Sequence, residues 1–217
     1  MRARALFAIV MAAVVMGCVD AEKERLKRTT VPTYDAATGK LKELTYDANR
    51  DGRVDTWTSM DGTRPLLSRI DRNEDGKIDR WEYYDDAGAL VKVGFSRKDD
   101  GQVDAWAFSG STGKVERVEF SSTGSDSRID RREYYVSANS DTAAQPALVR
   151  AEVDADDDGR IDRWETYEDG AVRTIAYDQN GDGRPDQRLT YARAALVLIE
   201  SDPDSSGGFA TRRHVKQ

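Results

Sequence analysis

Aspartate and asparagine residues recur at alternate positions in short stretches that also contain a glycine. In the stretch at 71–82, DRNEDGKIDRWE, oxygen-bearing side chains occupy the first, third, fifth and ninth positions, glycine the sixth and glutamate the twelfth. Calcium is a hard cation that takes about six to eight oxygen ligands, and glycine allows the sharp turn with which a backbone curls around an ion. The types and spacing of these residues therefore predict a calcium-binding loop.

The same pattern returns along the chain at a nearly constant interval. Seven stretches, which we number loops 1 to 7 in chain order, begin at Asp47, Asp71, Ser96, Ser122, Asp154, Asp178 and Asp202. Their starts are 24, 25, 26, 32, 24 and 24 residues apart, and recurrence at a fixed period indicates a repeat architecture. The one long interval contains a small-residue insertion at 136–147, which we expect to loop out of one repeat.

These loops resemble the DxDxDG calcium loops shared by EF-hands, dockerins, thrombospondin type 3 repeats and integrin-type propeller blades. The resemblance covers the loops and says little about the segments between them. It implies that positions 1, 3, 5 and 9 provide side-chain oxygens, position 7 a backbone carbonyl and position 12 a bidentate glutamate. The candidate calcium ligands are, in loop 1, Asp47, Asn49, Asp51 and Asp55; in loop 2, Asp71, Asn73, Asp75, Lys77, Asp79 and Glu82; in loop 5, Asp154, Asp156, Asp158, Arg160, Asp162 and Glu165; and in loop 6, Asp178, Asn180, Asp182, Arg184 and Asp186.

The copies differ in how completely they match the pattern. Loops 2 and 5 have every ligand position, whereas loops 1 and 6 have Thr58 and Leu189 at the twelfth position. Loops 1 and 6 are expected to bind calcium more weakly or to ligate it directly through the ninth aspartate. Loop 3 has Lys98 at a ligand position, where the ammonium group can take the place of the ion, so we expect this loop to be empty. Loops 4 and 7, with Gly124 and Ala210 in place of ligands, are not expected to bind tightly.

The segments between the loops alternate with period two. Each loop is followed by a run such as IDRWEYY at 78–84, then by a turn rich in glycine and aspartate, and then by a second run such as LVKVGF at 90–95. Such alternation of aromatic and β-branched residues is typical of strands. The sequence therefore predicts an all-β fold of tandem β-hairpins of ~24 residues, joined by the calcium-type loops. It leaves open whether the hairpins form an open β-meander, a propeller-like ring or a solenoid.

Four tryptophans hold the same place in their repeats: Trp57, Trp81, Trp106 and Trp164. Packing on a face of the sheet explains this recurrence, and the alternative is an aromatic platform for sugars or peptidoglycan. Repeat arrays offer long surfaces, so a protein or cell-wall glycan partner is compatible with the pattern, although no residue identifies one.

The N-terminus has the pattern of a secretory signal. MRARALFAIVMAAVVMGC combines two arginines, an apolar run at 5–16 and Cys18, and the run is too short for a membrane-spanning helix. Residues 15–18, VMGC, resemble the lipobox of bacterial lipoproteins, which implies cleavage before Cys18, lipidation of its sulfur and, because Val19 follows, sorting to the outer membrane. An ordinary signal peptide or a short anchor is the alternative. The predicted division is a signal peptide (1–17), a lipid anchor and polar tether (18–33), the repeat array (34–210) and a tail (211–217).

The charge and composition limit the possible partners and activities. The formal net charge is −7 at pH 7, which gives no basic footprint for nucleic acid or for a bare anionic membrane. Cys18 is the only cysteine, so an internal disulfide is excluded. The one histidine, His214, lies near the C-terminus, and the sequence contains no nucleophile elbow, phosphate loop or zinc motif. No enzymatic activity is expected, and a carbohydrate-active enzyme is a remote alternative.

The combined pattern predicts that calcium is structural in this chain. Binding free energy that is released only in the folded arrangement becomes folding free energy, so ions in the loops would hold a thin β array rigid outside the cytoplasm. The alternative is an EF-hand-type calcium sensor or buffer. A sensor needs helices on both sides of its loop, whereas Pro65 and Gly88 lie close to loop 2 on either side and Pro185 lies inside loop 6.

Overall fold

The computed structural model describes residues 29–122, 128–136 and 146–216. These residues form fifteen strands: β1 (Thr30–Tyr34), β2 (Leu41–Tyr46), β3 (Thr56–Asp61), β4 (Arg64–Ile70), β5 (Arg80–Tyr84), β6 (Leu90–Phe95), β7 (Ala105–Ser109), β8 (Val115–Phe120), β9 (Arg131–Val136), β10 (Ala147–Val153), β11 (Arg163–Glu168), β12 (Ala171–Tyr177), β13 (Gln187–Ala192), β14 (Ala195–Pro203) and β15 (Phe209–His214). All of them belong to one sheet whose strands lie in chain order. The prediction of an all-β fold is confirmed, and the arrangement is the open β-meander, with β1 and β15 at opposite edges.

The sheet extends slightly beyond the predicted repeat array. Residues 30–33, assigned from the sequence to the tether, form most of β1, and residues 211–214 of the predicted tail belong to β15. The signal peptide, Cys18 and most of the tether lie outside the described residues. Among those that are described, none forms a helix of the length and hydrophobicity needed to cross a membrane.

The meander places loops 1 to 6 at one end of the strands. Successive connections in an antiparallel meander alternate between the two ends, and these loops are every second connection. They therefore lie side by side, and their described residues are 47–55, 71–79, 96–104, 121–122 with 128–130, 154–162 and 178–186. Because adjacent strands are about 4.8 Å apart, loops two strands apart follow each other at roughly 10 Å.

The short turns are closed by aspartate side chains and by glycine in the left-handed region. In the turn between β5 and β6, Asp85 Oδ1 accepts the backbone N–H groups of Ala87 and Ala89, both at 2.9 Å. Gly88 has φ 80°, a conformation that costs little without a Cβ. This turn fixes the register of the hairpin and thereby the position of loop 2 at its far end.

The sheet is a single layer with a small core. Each strand packs chiefly against its two neighbours, and within the described ranges no second sheet covers either face. Few apolar side chains are fully buried: Val93, Ala105, Ala151, Val153, Ala176 and Phe209. Burial of apolar area is the main favourable term in folding, so this sheet depends more than a two-layer fold on contacts between neighbouring strands and loops.

The four tryptophans lie on the same face, which we call the tryptophan face. The strand register aligns Trp57 with Arg69, Arg69 with Trp81, and Trp81 with Gly94, which in turn is opposite Trp106. The same row continues through Glu119, Arg132 and Glu152 to Trp164. Lys92 Nζ lies 3.6 Å from the ring centre of Trp106, a cation–π distance. Trp106 thus packs against a cationic side chain within the sheet, and the carbohydrate platform stays a prediction.

Candidate metal centres

The loops are connected to each other through the backbone of their first and ninth residues. Asp71, the first residue of loop 2, donates its N–H to the carbonyl of Asp55, the ninth residue of loop 1, at 2.8 Å. The same bond joins Asp178 of loop 6 to Asp162 of loop 5, also at 2.8 Å. The ninth residue also donates its own N–H to the last strand residue before its loop, as Asp79 does to Ile70 at 2.8 Å. The hydrogen-bond ladder of the sheet therefore continues into the bases of the loops.

Within a loop, the backbone curls through two left-handed residues. In loop 2 these are Glu74, with φ 59°, and Gly76, with φ 90°. Positions 4 and 6 are left-handed in loops 1, 3, 5 and 6 as well, at Arg50 and Gly52, Asp99 and Gly101, Asp157 and Gly159, and Gly181 and Gly183. The sixth residue is glycine in each of them because its φ, near 90°, is unfavourable for a side chain with a Cβ.

The predicted side-chain ligands are held by backbone N–H groups inside the curl. In loop 2, Asp71 Oδ2 accepts the N–H of Gly76 at 2.9 Å, Asn73 Oδ1 accepts that of Asp75 at 3.1 Å, and Asp75 Oδ1 accepts that of Lys77 at 2.9 Å. Loops 1, 5 and 6 repeat all three hydrogen bonds. The side chains at positions 1, 3 and 5 therefore share one arrangement in the four loops predicted to bind calcium.

Loop 5 brings three carboxylates together. One oxygen from each of Asp154, Asp156 and Asp162 lies within 4.8 Å of the others. Asp154 is buried, whereas Asp156 is exposed, and like charges at this separation repel each other by roughly 1–4 kcal/mol between fully solvated and near-surface conditions. A divalent cation that binds these oxygens would turn the repulsion into attraction.

Loop 2 contains a buried carboxylate oxygen without a partner. Asp71 is 5% exposed, and its Oδ1 has no hydrogen-bond partner among the described residues. The other oxygen of this carboxylate accepts the N–H of Gly76 across the loop. In loops 1, 5 and 6 the corresponding Oδ1 accepts a backbone N–H of its own loop. A buried, unpaired carboxylate oxygen is energetically costly unless it binds a proton or a cation.

The two twelfth-position glutamates lie on strands rather than in the loops. Glu82, on β5, accepts hydrogen bonds from Arg80 Nε and from the hydroxyl of Tyr84, both at 2.7 Å. Glu165, on β11, accepts them from Arg131 at 2.9 Å and from the hydroxyl of Tyr167 at 2.6 Å. They belong to the face opposite the tryptophans, which we call the arginine–glutamate face. Burial raises the pKa of Glu165, but the hydrogen bonds from Tyr167 and Arg131 outweigh it, and the pKa is lowered overall.

The side chains at position 7 connect successive loops, a role the sequence pattern did not indicate. Lys77 Nζ donates to the carbonyl of Asp99, the fourth residue of loop 3, at 2.8 Å. Arg160 donates to the carbonyl of Gly181, at the same position of loop 6, at 3.3 Å. Lys77 also pairs with Asp75 at 3.1 Å. The Lys77 N–H and ammonium groups both lower the pKa of Asp75. The calcium-loop pattern uses only the backbone carbonyl of position 7. The recurrence of a basic side chain there was the sequence signal for this contact between loops.

Loop 3 has an internal cation in place of a metal. Arg97 Nε donates to Asp104 Oδ1 at 3.2 Å, and its Nη2 donates to the carbonyl of Ser121 in the next loop at 2.7 Å. Asp104, the ninth residue, is 1% exposed and also accepts the backbone N–H of Arg97 at 2.9 Å. Lys98 lies at the third position, as the sequence predicts. Loop 3 thus has an ammonium group at position 3, where loops 2 and 5 have Asn73 and Asp156.

The ninth aspartate has the same structural role in every long loop. Its carboxylate accepts the backbone N–H of the second loop residue, for example Arg72 to Asp79 at 2.6 Å. The remaining pairs are Ala48 with Asp55, Arg97 with Asp104, Ala155 with Asp162, and Gln179 with Asp186. In loop 4 Ser122 donates to Asp130 in the same way, one residue further apart. This bond explains why loops 3 and 4 keep the ninth aspartate although their other ligand positions have changed.

We predict that Asp104→Ala lowers the free energy of unfolding by about 1–3 kcal/mol, the usual cost of leaving a buried polar group unsatisfied. The loss is expected in chelator as well as in calcium, because Asp104 holds loop 3 without an ion. Chemical denaturation in calcium and in chelator measures both values. A variant that loses no stability in chelator would contradict this metal-independent role of Asp104.

Loops 4 and 7 differ from the shared geometry. The backbone places Ser121 rather than Ser122 at the first position of loop 4, since Ser121 donates its N–H to the carbonyl of Asp104 at 3.2 Å. In loop 7, Asp202 belongs to β14. Asp204 closes a short turn there by accepting the N–H groups of Ser206 and Gly208 at 2.8 and 2.9 Å. Loop 7 therefore lacks the two-step curl of loops 1, 2, 3, 5 and 6.

Comparison with known proteins gives one family match. A family model described as "EF hand" matches residues 64–84, which correspond to β4, loop 2 and β5. The match supports a calcium-binding motif, and here that motif is flanked by strands. No curated protein matches the chain.

Two solved structures show weak overall similarity. A structure titled "Crystal Structure of TarM" is 13% identical over 48% of this chain and 22% of its own, with a TM-score of 0.33. One titled "Crystal structure of GtfA/B complex" is 14% identical over 69% of this chain and 20% of its own, with a TM-score of 0.26. This chain thus spans about a fifth of each, and at these TM-scores neither supports a conclusion about function.

Proposed function

We propose that this chain is a calcium-binding protein of the bacterial cell envelope, anchored by lipid at Cys18, in which the ions rigidify an extended β array rather than act as a signal. The observation that carries the proposal is the cluster of carboxylate oxygens from Asp154, Asp156 and Asp162 in loop 5. The family match over loop 2 and the buried Oδ1 of Asp71, which has no partner among the described residues, support it.

A structural role fits the architecture better than a sensor role. Sensor EF-hands respond to calcium by changing the angle between two helices, whereas loops 1, 2, 5 and 6 each connect two paired antiparallel strands. The first and ninth residues of each loop are part of the hydrogen-bond ladder of the sheet. An ion in the curl would therefore stabilise strand pairing directly.

The physical reason for calcium is the thinness of the sheet. A single layer buries few apolar side chains, and the loops place several carboxylates in each turn. Extracellular calcium modules typically have dissociation constants of ~10⁻⁴–10⁻³ M, which keeps such sites filled outside the cytoplasm. We propose a non-catalytic scaffold whose faces are available to a protein or glycan partner of the envelope.

The proposal predicts a defined calcium stoichiometry. Titration of the mature, unlipidated chain by calorimetry is expected to show sites in loops 1, 2, 5 and 6, with loops 2 and 5 among the tighter ones. Asp75→Asn and Asp158→Asn should each weaken one site about tenfold or more, since each removes a charged ligand. Binding curves that are unchanged in both variants, or no binding to the wild-type chain, would contradict the assignment of these loops.

A further inference from the structure

The site in loop 2 lacks its expected last ligand. In the structure both carboxylate oxygens of Glu82 are hydrogen-bonded on β5, to Arg80 and Tyr84 at 2.7 Å. The inference that follows rests on the proposed function, because it concerns how a calcium ion in this loop completes its coordination. An independent sign of an unmet ligand is the buried Oδ1 of Asp71, which has no partner among the described residues.

The next loop brings a carboxylate against the third residue of loop 2. Asp99 is the fourth residue of loop 3, and both of its carboxylate oxygens lie 3.0 Å from Nδ2 of Asn73, the third residue of loop 2. Its backbone is left-handed, with φ 59°, and its carbonyl accepts the 2.8 Å hydrogen bond from Lys77 of loop 2. Loop 3 is thus joined to loop 2 through both the side chain and the backbone carbonyl of Asp99.

Loop 1 has the same arrangement. Its twelfth residue is Thr58, which cannot provide a carboxylate. Glu74, the fourth residue of loop 2, accepts a hydrogen bond from Asn49 Nδ2, as Asp99 does from Asn73 in the next pair of loops. The stacking of loops thus brings a carboxylate of the next repeat against the third residue of loop 1.

In loops 1, 2 and 5, the third residue of the loop and the fourth residue of the next loop together provide one carboxylate. Loops 1 and 2 have asparagine at position 3 and an acid at position 4 of the following loop. Loop 5 has Asp156 at position 3 and faces Gly181, which has no side chain. Each of these three sites therefore has four carboxylates. Loop 6, with Asn180 and no curled loop after it, has three of its own: Asp178, Asp182 and Asp186.

We infer that the calcium sites of loops 1 and 2 are shared between successive loops, with Glu74 and Asp99 as the ligands contributed by the next repeat. Loop 5 forms a site from its own residues, and loop 6 is the weakest of the four. Calcium binding in loop 2 therefore depends on the position of loop 3, although loop 3 binds no ion itself. Calcium joins neighbouring hairpins as well as ordering single loops.

Asp99→Asn tests this inference in the full mature chain. The substitution removes the charge, and asparagine tolerates the left-handed backbone, so the fold is expected to persist. Calcium is titrated into ¹⁵N-labelled protein, and the backbone amides of Gly76 and Gly159 report binding at loops 2 and 5 separately. The dissociation constant at Gly76 is expected to rise about tenfold or more, within the range for disturbing a metal site, while that at Gly159 stays unchanged.

Two further variants make the result decisive. Asp157→Asn is the matched control: Asp157 has the same loop position and a φ of 64°, but its carboxylate pairs with Arg128 of loop 4 at 3.0 Å, so calcium binding should not change. Glu82→Gln should weaken loop 2 less than Asp99→Asn. If Glu82→Gln weakens loop 2 and Asp99→Asn does not, the shared site is wrong and calcium binding by loop 2 stands. If the wild-type chain shows no calcium-dependent shifts, the proposed function fails, and this inference with it.

Discussion

Transfer of the mature chain from about 10 mM calcium into chelator is expected to lower its free energy of unfolding by roughly 1.4–2.7 kcal/mol for each loop that was filled. These values follow from mass action at calcium concentrations about 10 to 100 times the dissociation constant, for ions that bind the folded state only. Four filled loops would thus contribute several kcal/mol, a large part of the 5–15 kcal/mol typical of folded domains. The effect is large because the sheet is one layer thick with little buried apolar area.

Thermal and chemical unfolding followed by β-sheet circular dichroism measure this difference. Magnesium at the same concentration is the control, since it prefers a small octahedral site and dehydrates reluctantly, so it should restore much less stability than calcium. Sodium chloride at equal ionic strength controls for screening of the acidic loops. Equal stability in calcium and in chelator would contradict a structural role for the ion, and a calcium-induced gain of helix would favour the sensor.

Replacement of Arg131 by alanine is expected to cost about 3–5 kcal/mol, the range for removing one partner of a buried ion pair. Arg131 lies on β9 with its side chain 14% exposed. It donates to Glu133 on the same strand at 2.8 Å and reaches across β10 to Glu165 on β11 at 2.9 Å. Small, buried Ala151 lies opposite both glutamates in the register, which gives the guanidinium room. Without it, two half-buried carboxylates would face each other across Ala151.

Arg132→Ala is the matched control for this prediction. Arg132 is the next residue on β9 and points to the tryptophan face, where it is 39% exposed and lies 3.8 Å from Glu119. An exposed pair of this kind contributes about 1 kcal/mol or less. Both variants should be compared by urea denaturation in chelator, so that any ion at loop 5 does not contribute. Similar losses in the two variants would show that the arginine–glutamate face adds no more stability than ordinary surface pairs.

The spacing of residue types along the chain was enough to predict the local structure. Alternation in runs such as that around Trp81 predicted the strands, and DxDxDG spacing predicted curls in which positions 1, 3 and 5 turn inward. The nearly constant repeat predicted tandem hairpins joined by one kind of loop. These features depend on residues within a few positions of each other, where backbone geometry and side-chain period leave few alternatives.

Contacts between repeats were decided by the tertiary structure alone. Whether the hairpins close or stay open depends on how strand twist accumulates across the sheet, which no single repeat encodes. The hydrogen bonds of Glu82 and Glu165 to arginine and tyrosine, the reach of Arg131 across β10, and the approach of Asp99 to Asn73 all join residues separated by strand register rather than by chain position. The sequence therefore determined the strands, the curls and the acids within each loop, whereas the register and stacking of the hairpins decided which loops can share a ligand.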